Sequence, residues 1–273
     1  MTFENAETLS QNKEALSACK ALLYQLADDD FLLAYRGSEW LGLAPHIEED
    51  VAFSSISQDT MGHAVMFYQL LEELGEGEAD RISHLRTPAE FRNAILLEMK
   101  NGEGSYVEKP DYDWAFAVVR NLFYDYAKMI RLQSLKSSSY EPLAHMARRI
   151  ISEEYYHLMH WEMWFRQLMT STPEARERME QAIRRVWSDF GGVLTTGPEG
   201  KQIAAAGLME SEEVLTERWI QKVSAILNET GFQPEGEPGM KSGNGRTGEH
   251  TEDLTEALAI LSEVYRKDPA AQW

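Results

Sequence analysis

Two stretches of this sequence carry side chains at a spacing that suits metal chemistry. Glu154-Tyr155-Tyr156-His157 is a complete Glu-x-x-His, and Thr60-Met61-Gly62-His63 is the same pattern with a hydroxyl in place of the acid. On a helix of about 3.6 residues per turn, positions i and i+3 share a face, so such a Glu and His can reach one cation or help to bridge two. Helix bundles that hold two metal ions take one acid from each of two helices and one Glu-x-x-His from each of the other two, all pointing inward. Two further acids stand at the matching register. Asp30 lies fifteen residues before Pro45 and Thr60 fifteen after it. Asp125 lies fifteen before Tyr140, and Tyr155, between Glu154 and His157, fifteen after it. If the chain turns at Pro45 and at Tyr140, residues equally far from each turn sit at one level of an antiparallel hairpin.

The expected metal-type set is therefore Asp30, His63, Asp125, Glu154 and His157. The sixth position is Thr60, and a hydroxyl supplies neither a second bridge nor its negative charge. A degenerate site follows, holding no stable two-metal centre and at most one weakly held divalent ion. The blander readings are these. A lone Glu-x-x-His in a helical protein is usually surface chemistry. Asp30 belongs to the run Asp28-Asp29-Asp30, which alone reads as a solvated face or a helix cap. Asp125 is different, because Phe123, Tyr124 and Tyr126 flank it, and a buried polar role suits it better. Buried carboxylates that hold no metal are neutralised by protonation, by His⁺ or by Lys.

Other candidates carry less. His160 sits among Met159, Trp161, Met163 and Trp164, which suggests packing, and the stretch from Tyr155 to Met169 suits a core or a partner interface. The Gly-rich text from Ser242 to Gly248 follows no strand and lacks Gly-Lys-Ser/Thr, so it is no phosphate loop. Arg246 within it is a candidate contact for a partner or an anionic ligand. No Ser/His/Asp or Cys/His constellation stands out.

The elements that must position these residues are helices. Apolar residues recur at three and four from Asn12 to Leu43, and Pro45 stops the run. Similar runs cover about Ile47 to Leu74, Tyr112 to Lys136 and Glu141 to Met169, with Ser137-Ser138-Ser139 between the last two. Short connections make antiparallel neighbours, so the spacing predicts an all-α four-helix bundle. A shorter helix is expected over Pro88 to Met99, with Thr87 as N-cap and Pro88 at the first position. Asn101 to Asp111 reads as a loop, and Gly191 to Gly207 is poorly periodic. Further helices are expected from Thr172-Pro173 to Phe190, Ser211 to Asn228 and Thr251 to Arg266. The division expected is a bundle over 1–230, a mobile Gly/Pro-rich segment over 231–249, and a C-terminal helix and tail over 250–273.

Bulk properties narrow the partners. A net charge of −19 argues against nucleic acid and against an anionic membrane surface. The single cysteine, Cys19, excludes an intrachain disulfide and suits a reducing cytoplasm. The opening MTFENAETLSQNKEAL has no apolar core behind a basic start, so no signal peptide is expected. No apolar run reaches the roughly 18 residues of a membrane span.

One set of motifs resembles a known family. Ser38-Glu39-Trp40-Leu41-Gly42-Leu43-Ala44-Pro45, Glu48-Glu49-Asp50-Val51-Ala52, Asp59, Gly62, Phe91-Arg92-Asn93, Glu154-Tyr155-Tyr156-His157-Leu158, His250-Thr251-Glu252 and Gln272-Trp273 are similar to the components of the ring 1,2-phenylacetyl-CoA epoxidase of aerobic phenylacetate breakdown. Among these the resemblance is to the structural C subunits. Gln58-Asp59-Thr60-Met61-Gly62-His63 also looks like the metal helix of the catalytic A subunits, with Thr60 replacing its Glu. The resemblance implies a ferritin-like fold, no catalysis by this chain, and tight pairing with an A subunit that carries a di-iron centre and draws electrons from a reductase. A homodimer is a further association kept open. The alternative function is an independent ferritin-like protein that handles metal or oxygen. A pure helical adaptor is disfavoured by the five ligand-type residues.

Overall fold

Apolar residues at helical spacing fold into helices throughout the computed structural model, which describes residues 2–271. The motif Gln272-Trp273 lies outside the described residues. In chain order the helices are α1 (Ala6–Ser10), α2 (Lys13–Ser38), α3 (Ile47–Glu73), α4 (Ala79–His84), α5 (Ile95–Glu98), α6 (Trp114–Leu135), α7 (Glu141–Ser171), α8 (Pro173–Trp187), α9 (Gly191–Leu194), α10 (Gly200–Ala205), α11 (Glu212–Thr230) and α12 (Glu252–Lys267). The expected loop after Asn101 contains a two-residue antiparallel ladder, Gly102 facing Tyr112 and Glu103 facing Asp111. The fold class is all-α and ferritin-like, as expected, with four long helices arranged in sequence as two pairs.

The chain divides into two compact units that interleave in sequence. The first takes Met1–Cys19 and Asn101–Lys241, the second Lys20–Lys100 and Ser242–Trp273.

In the first unit α6 is the central element. Asp113 caps its start by accepting from the Phe116 N–H. Burial extends to nearly every face of the helix, as it does for a helix enclosed by others. It packs against α7, α8, α9 and α11. Phe123 lies edge-on to Trp219, and Phe190 stacks on that indole with centroids 4.2 Å apart. The Trp219 N–H donates to the Phe123 carbonyl at 2.9 Å, so this large ring is buried with its polar atom satisfied. The α6–α7 connection is pinned from outside. Phe3 N–H donates to the Ser139 carbonyl, and Glu141 N–H donates back to the Phe3 carbonyl. The poorly periodic stretch after Phe190 holds the short helices α9 and α10. Glu212 ties it down, accepting from the Thr196 N–H and from the Thr195 and Thr196 hydroxyls. Gly239 N–H donates to the Trp187 carbonyl, and its own carbonyl accepts from Gly191 N–H.

In the second unit Lys20–Ser38 of α2 runs antiparallel to α3, since Tyr68 donates to Asp28 at 2.6 Å and Gly37 abuts Ser57 and Phe53. The expected helix from Pro88 to Met99 is corrected here. Thr87 is the N-cap, as anticipated, and forms a capping box with Glu90, but only one 3-10 turn follows, and α5 is a separate single turn. The cause is tertiary. The Arg92 N–H donates to Asp28 and the Ala94 N–H to Asp29, each at 2.8 Å, so neither can join a helical ladder. Asp28, Asp29 and Asp30 are all buried, so the solvated-face reading of that run fails.

Candidate metal-type site and its buried lysine

The complete Glu-x-x-His folds as its spacing predicts. Glu154 and His157 lie one turn apart on the buried face of α7, and Asp125 faces them from α6. One ligand-type atom from each of Asp125, Glu154 and His157 lies within 4.8 Å of the others, and all three residues are buried. His157 Nδ1 is 3.7 Å from Glu154 Oε2. Sequence reasoning missed the fourth member. Lys128, one turn beyond Asp125 on α6, brings its ammonium to 3.3 Å from the same Glu154 Oε2. Its side chain is 6% exposed and that of Glu154 is 0% exposed. The sequence carried little signal for it, because a helical lysine is usually exposed; burial on nearly every side of α6 is what encloses it.

Asp30 and His63 belong to the second unit, on α2 and α3, and both are buried. Thr60 is buried too, and its hydroxyl donates to the Ile56 carbonyl of its own helix at 2.8 Å. That bond satisfies the hydroxyl locally in the way common for mid-helix Ser and Thr.

The donor set of Asp125, Glu154 and His157 is two carboxylates and an imidazole, which suits a single first-row dication rather than a hard, all-oxygen ion. Three protein ligands fit one ion. They do not fit two, and Lys128 already places a positive charge on Glu154.

The α6–α7 pair is also laced by a charged chain. Tyr126 donates to Glu162 at 2.6 Å, and Glu162 also accepts from Arg166 at 2.9 Å. Burial, then the hydrogen bond to Glu162, pushes the Tyr126 phenol well above its usual range. Burial works to raise the Glu162 carboxyl, but the hydrogen bonds from Tyr126 and Arg166 outweigh it and hold it low. Beside this chain lies a cleft of about 460 Å³ whose lining includes Met129, Ile130, Tyr155, Leu158, Met159 and Lys222.

Arg246, expected to contact a partner or an anionic ligand, is instead buried. Both of its terminal nitrogens donate to Asp29, at 2.8 Å each, with both side chains fully enclosed. His160 packs edge-on against Trp161, as anticipated.

Comparison with known proteins follows the same lines. A family model described as phenylacetic acid catabolic protein matches residues 1–273. The C subunit of the 1,2-phenylacetyl-CoA epoxidase of Escherichia coli (strain K12) is 29% identical over 254 residues, covering 93% of this chain and 98% of that protein. No helix among the described residues is long and apolar enough to cross a membrane.

Proposed function

This chain belongs to the phenylacetic acid catabolic protein family, and from that premise we propose that it is the structural, non-catalytic subunit of a cytoplasmic multicomponent epoxidase acting on the ring of phenylacetyl-CoA. Its task in this reading is to stabilise a catalytic A subunit, whose di-iron centre supplies the oxygen chemistry with electrons from a reductase. The observation that carries the non-catalytic assignment is the ammonium of Lys128 against Glu154, at 3.3 Å, on the chain's one complete Glu-x-x-His. With Thr60 in place of a second bridging acid, Asp125, Glu154 and His157 would hold at most one divalent ion, and weakly. Asp30 and His63 are then the inherited counterparts on the first hairpin of a site that has lost its bridge.

Such a role needs a surface for the partner. Tyr155, Met159 and Met163 repeat every fourth residue along α7, and with Tyr156 they are each more than half exposed. Exposed apolar and aromatic stripes of this kind mark association surfaces more often than solvated ones. The net charge of −19 disfavours this chain as the main entrance for an anionic CoA thioester.

The test is reconstitution. The A subunit and the reductase are expressed with and without this chain, and consumption of phenylacetyl-CoA is followed. The expected outcome is turnover only when the A subunit is present, with this chain co-purifying and raising the A subunit's stability or rate. Turnover by this chain and reductase alone, or full activity of the A subunit without it, overturns the scaffold reading. Two tightly bound irons per chain, by elemental analysis, would favour instead an independent ferritin-like metal- or oxygen-handling protein.

A further inference from the structure

We propose that Lys128 is the built-in counter-cation of the cluster formed by Asp125, Glu154 and His157, and the residue that keeps divalent metal out of it.

Position supports this first. Lys128 follows Asp125 by one turn on α6, just as His157 follows Glu154 by one turn on α7. The four side chains thus form two i, i+3 pairs on facing helices, and the lysine stands one turn from the single acid that α6 contributes. Its ammonium is set against Oε2 of Glu154, the same oxygen that faces His157 Nδ1. The oxygen best placed to share a cation with His157 is therefore the one the lysine engages.

Charge supports it second. Asp125 and Glu154 carry two negative charges when ionised, and a buried carboxylate is costly without a positive partner. Lys128, when protonated, sets one positive charge 3.3 Å from Glu154 without any ion from solution. Among Asp125, Glu154 and a protonated Lys128, a dication would add two positive charges to a set whose net charge is one negative, at short range in a buried site. Replace the lysine with an apolar side chain, and a dication would balance the two carboxylates. This role rests on the same Lys128–Glu154 contact as the non-catalytic reading above; metal affinity of the variants tests it, whereas reconstitution of turnover tests the subunit assignment.

The experiment uses the full chain and Co(II), whose visible absorption reports its ligands. The variants are Lys128→Met, Glu154→Gln and the double change. The expected result is weak, substoichiometric Co(II) binding by the unaltered chain. Lys128→Met should bind one Co(II) per chain with affinity raised about 10- to 100-fold, a size typical of changes around a metal's ligands. The gain should vanish when Glu154→Gln is added. Equal affinity in the unaltered and Lys128→Met chains overturns the proposal, and so does a gain that survives Glu154→Gln. Thermal melting without metal gives a second readout. A counter-cation role requires Lys128→Met to melt lower than the unaltered chain and the double variant to recover much of the loss. A Lys128→Met chain recovered only when Glu154→Gln accompanies it counts in favour. A Lys128→Met chain as stable as the unaltered one, or a double variant no better than the single, counts against.

Discussion

Replacing Arg246 with methionine should be among the most damaging single changes in the second unit. The guanidinium grips both oxygens of Asp29 at 2.8 Å, and one of its nitrogens also donates to the Arg92 carbonyl at 2.6 Å. Both side chains are fully enclosed, so water cannot take over when the guanidinium is removed. Methionine fills much of the volume, which isolates the electrostatic loss from a cavity effect. Removing one half of a buried ion pair costs about 3–5 kcal/mol, because the other half keeps its desolvation penalty. At roughly 2–4 °C per kcal/mol for a domain of 150–250 residues, the melting temperature should fall by on the order of 6–20 °C. Urea titration by circular dichroism measures the first quantity and a thermal melt the second. Hydrogen exchange should rise in residues 92–98 and 244–250, the two segments this pair ties down. The double variant Arg246→Met with Asp29→Leu should recover most of the loss, since no lone charge remains. A loss below about 1 kcal/mol for Arg246→Met, or a double variant no more stable than the single, would refute the reasoning.

Two further outcomes are expected. Glu98 accepts from Asn93, from the Thr251 N–H and hydroxyl, and lies 2.7 Å from His250 Nδ1, so it anchors the start of α12. Glu98→Gln should loosen that helix, seen as faster hydrogen exchange over 252–267 with little change in α6 and α7; unchanged exchange would speak against the anchor. Glu76 and Glu162 are both held below the usual carboxylate range; burial opposes this, and hydrogen bonds from Lys20 and Tyr24 in one case, and from Tyr126 and Arg166 in the other, outweigh it. A depressed folded-state value stabilises above the unfolded value and is lost as pH falls through the folded one. Stability should therefore drop on acidification below the ordinary Glu range, and Glu76→Gln with Glu162→Gln should flatten that limb; an unaltered acid limb in the double variant would exclude the assignment.

The long helices were legible because their signal is local. Apolar spacing runs unbroken through α2, α3, α6 and α7, and Pro45 and the Ser137–Ser139 triplet mark the breaks. The cluster of Asp125, Glu154 and His157 was legible for the same reason, since spacing and distance from a turn are both properties of adjacent text. What failed depended on contacts distant in sequence. The run after Pro88 looks helical until Asp28 and Asp29 claim its N–H groups. Arg246 sits in Gly-rich text that looks solvated, yet its partner lies 217 residues earlier. Lys128 was overlooked because lysine on a helix is usually exposed, and only burial on every side of α6 makes it a charge that must be matched.

The pairing of Asp29 with Arg246 has a consequence for the order of synthesis. A ribosome adds roughly 5–20 residues per second, so Asp29 waits about 10–40 s for its partner to be made. Through that interval Asp28 already has the Arg86 guanidinium, but the Asp29 carboxylate lacks the Arg246 guanidinium that it is buried with. The chain emerging meanwhile can complete α6, α7, α8 and α11, which all lie within Asn101–Lys241. Maturation is thus expected to be retrograde for the second unit, with its earliest-made residues locking last. A truncation before Gly245 should stall at that stage as a species with native packing around Trp219 and an open region near Phe91.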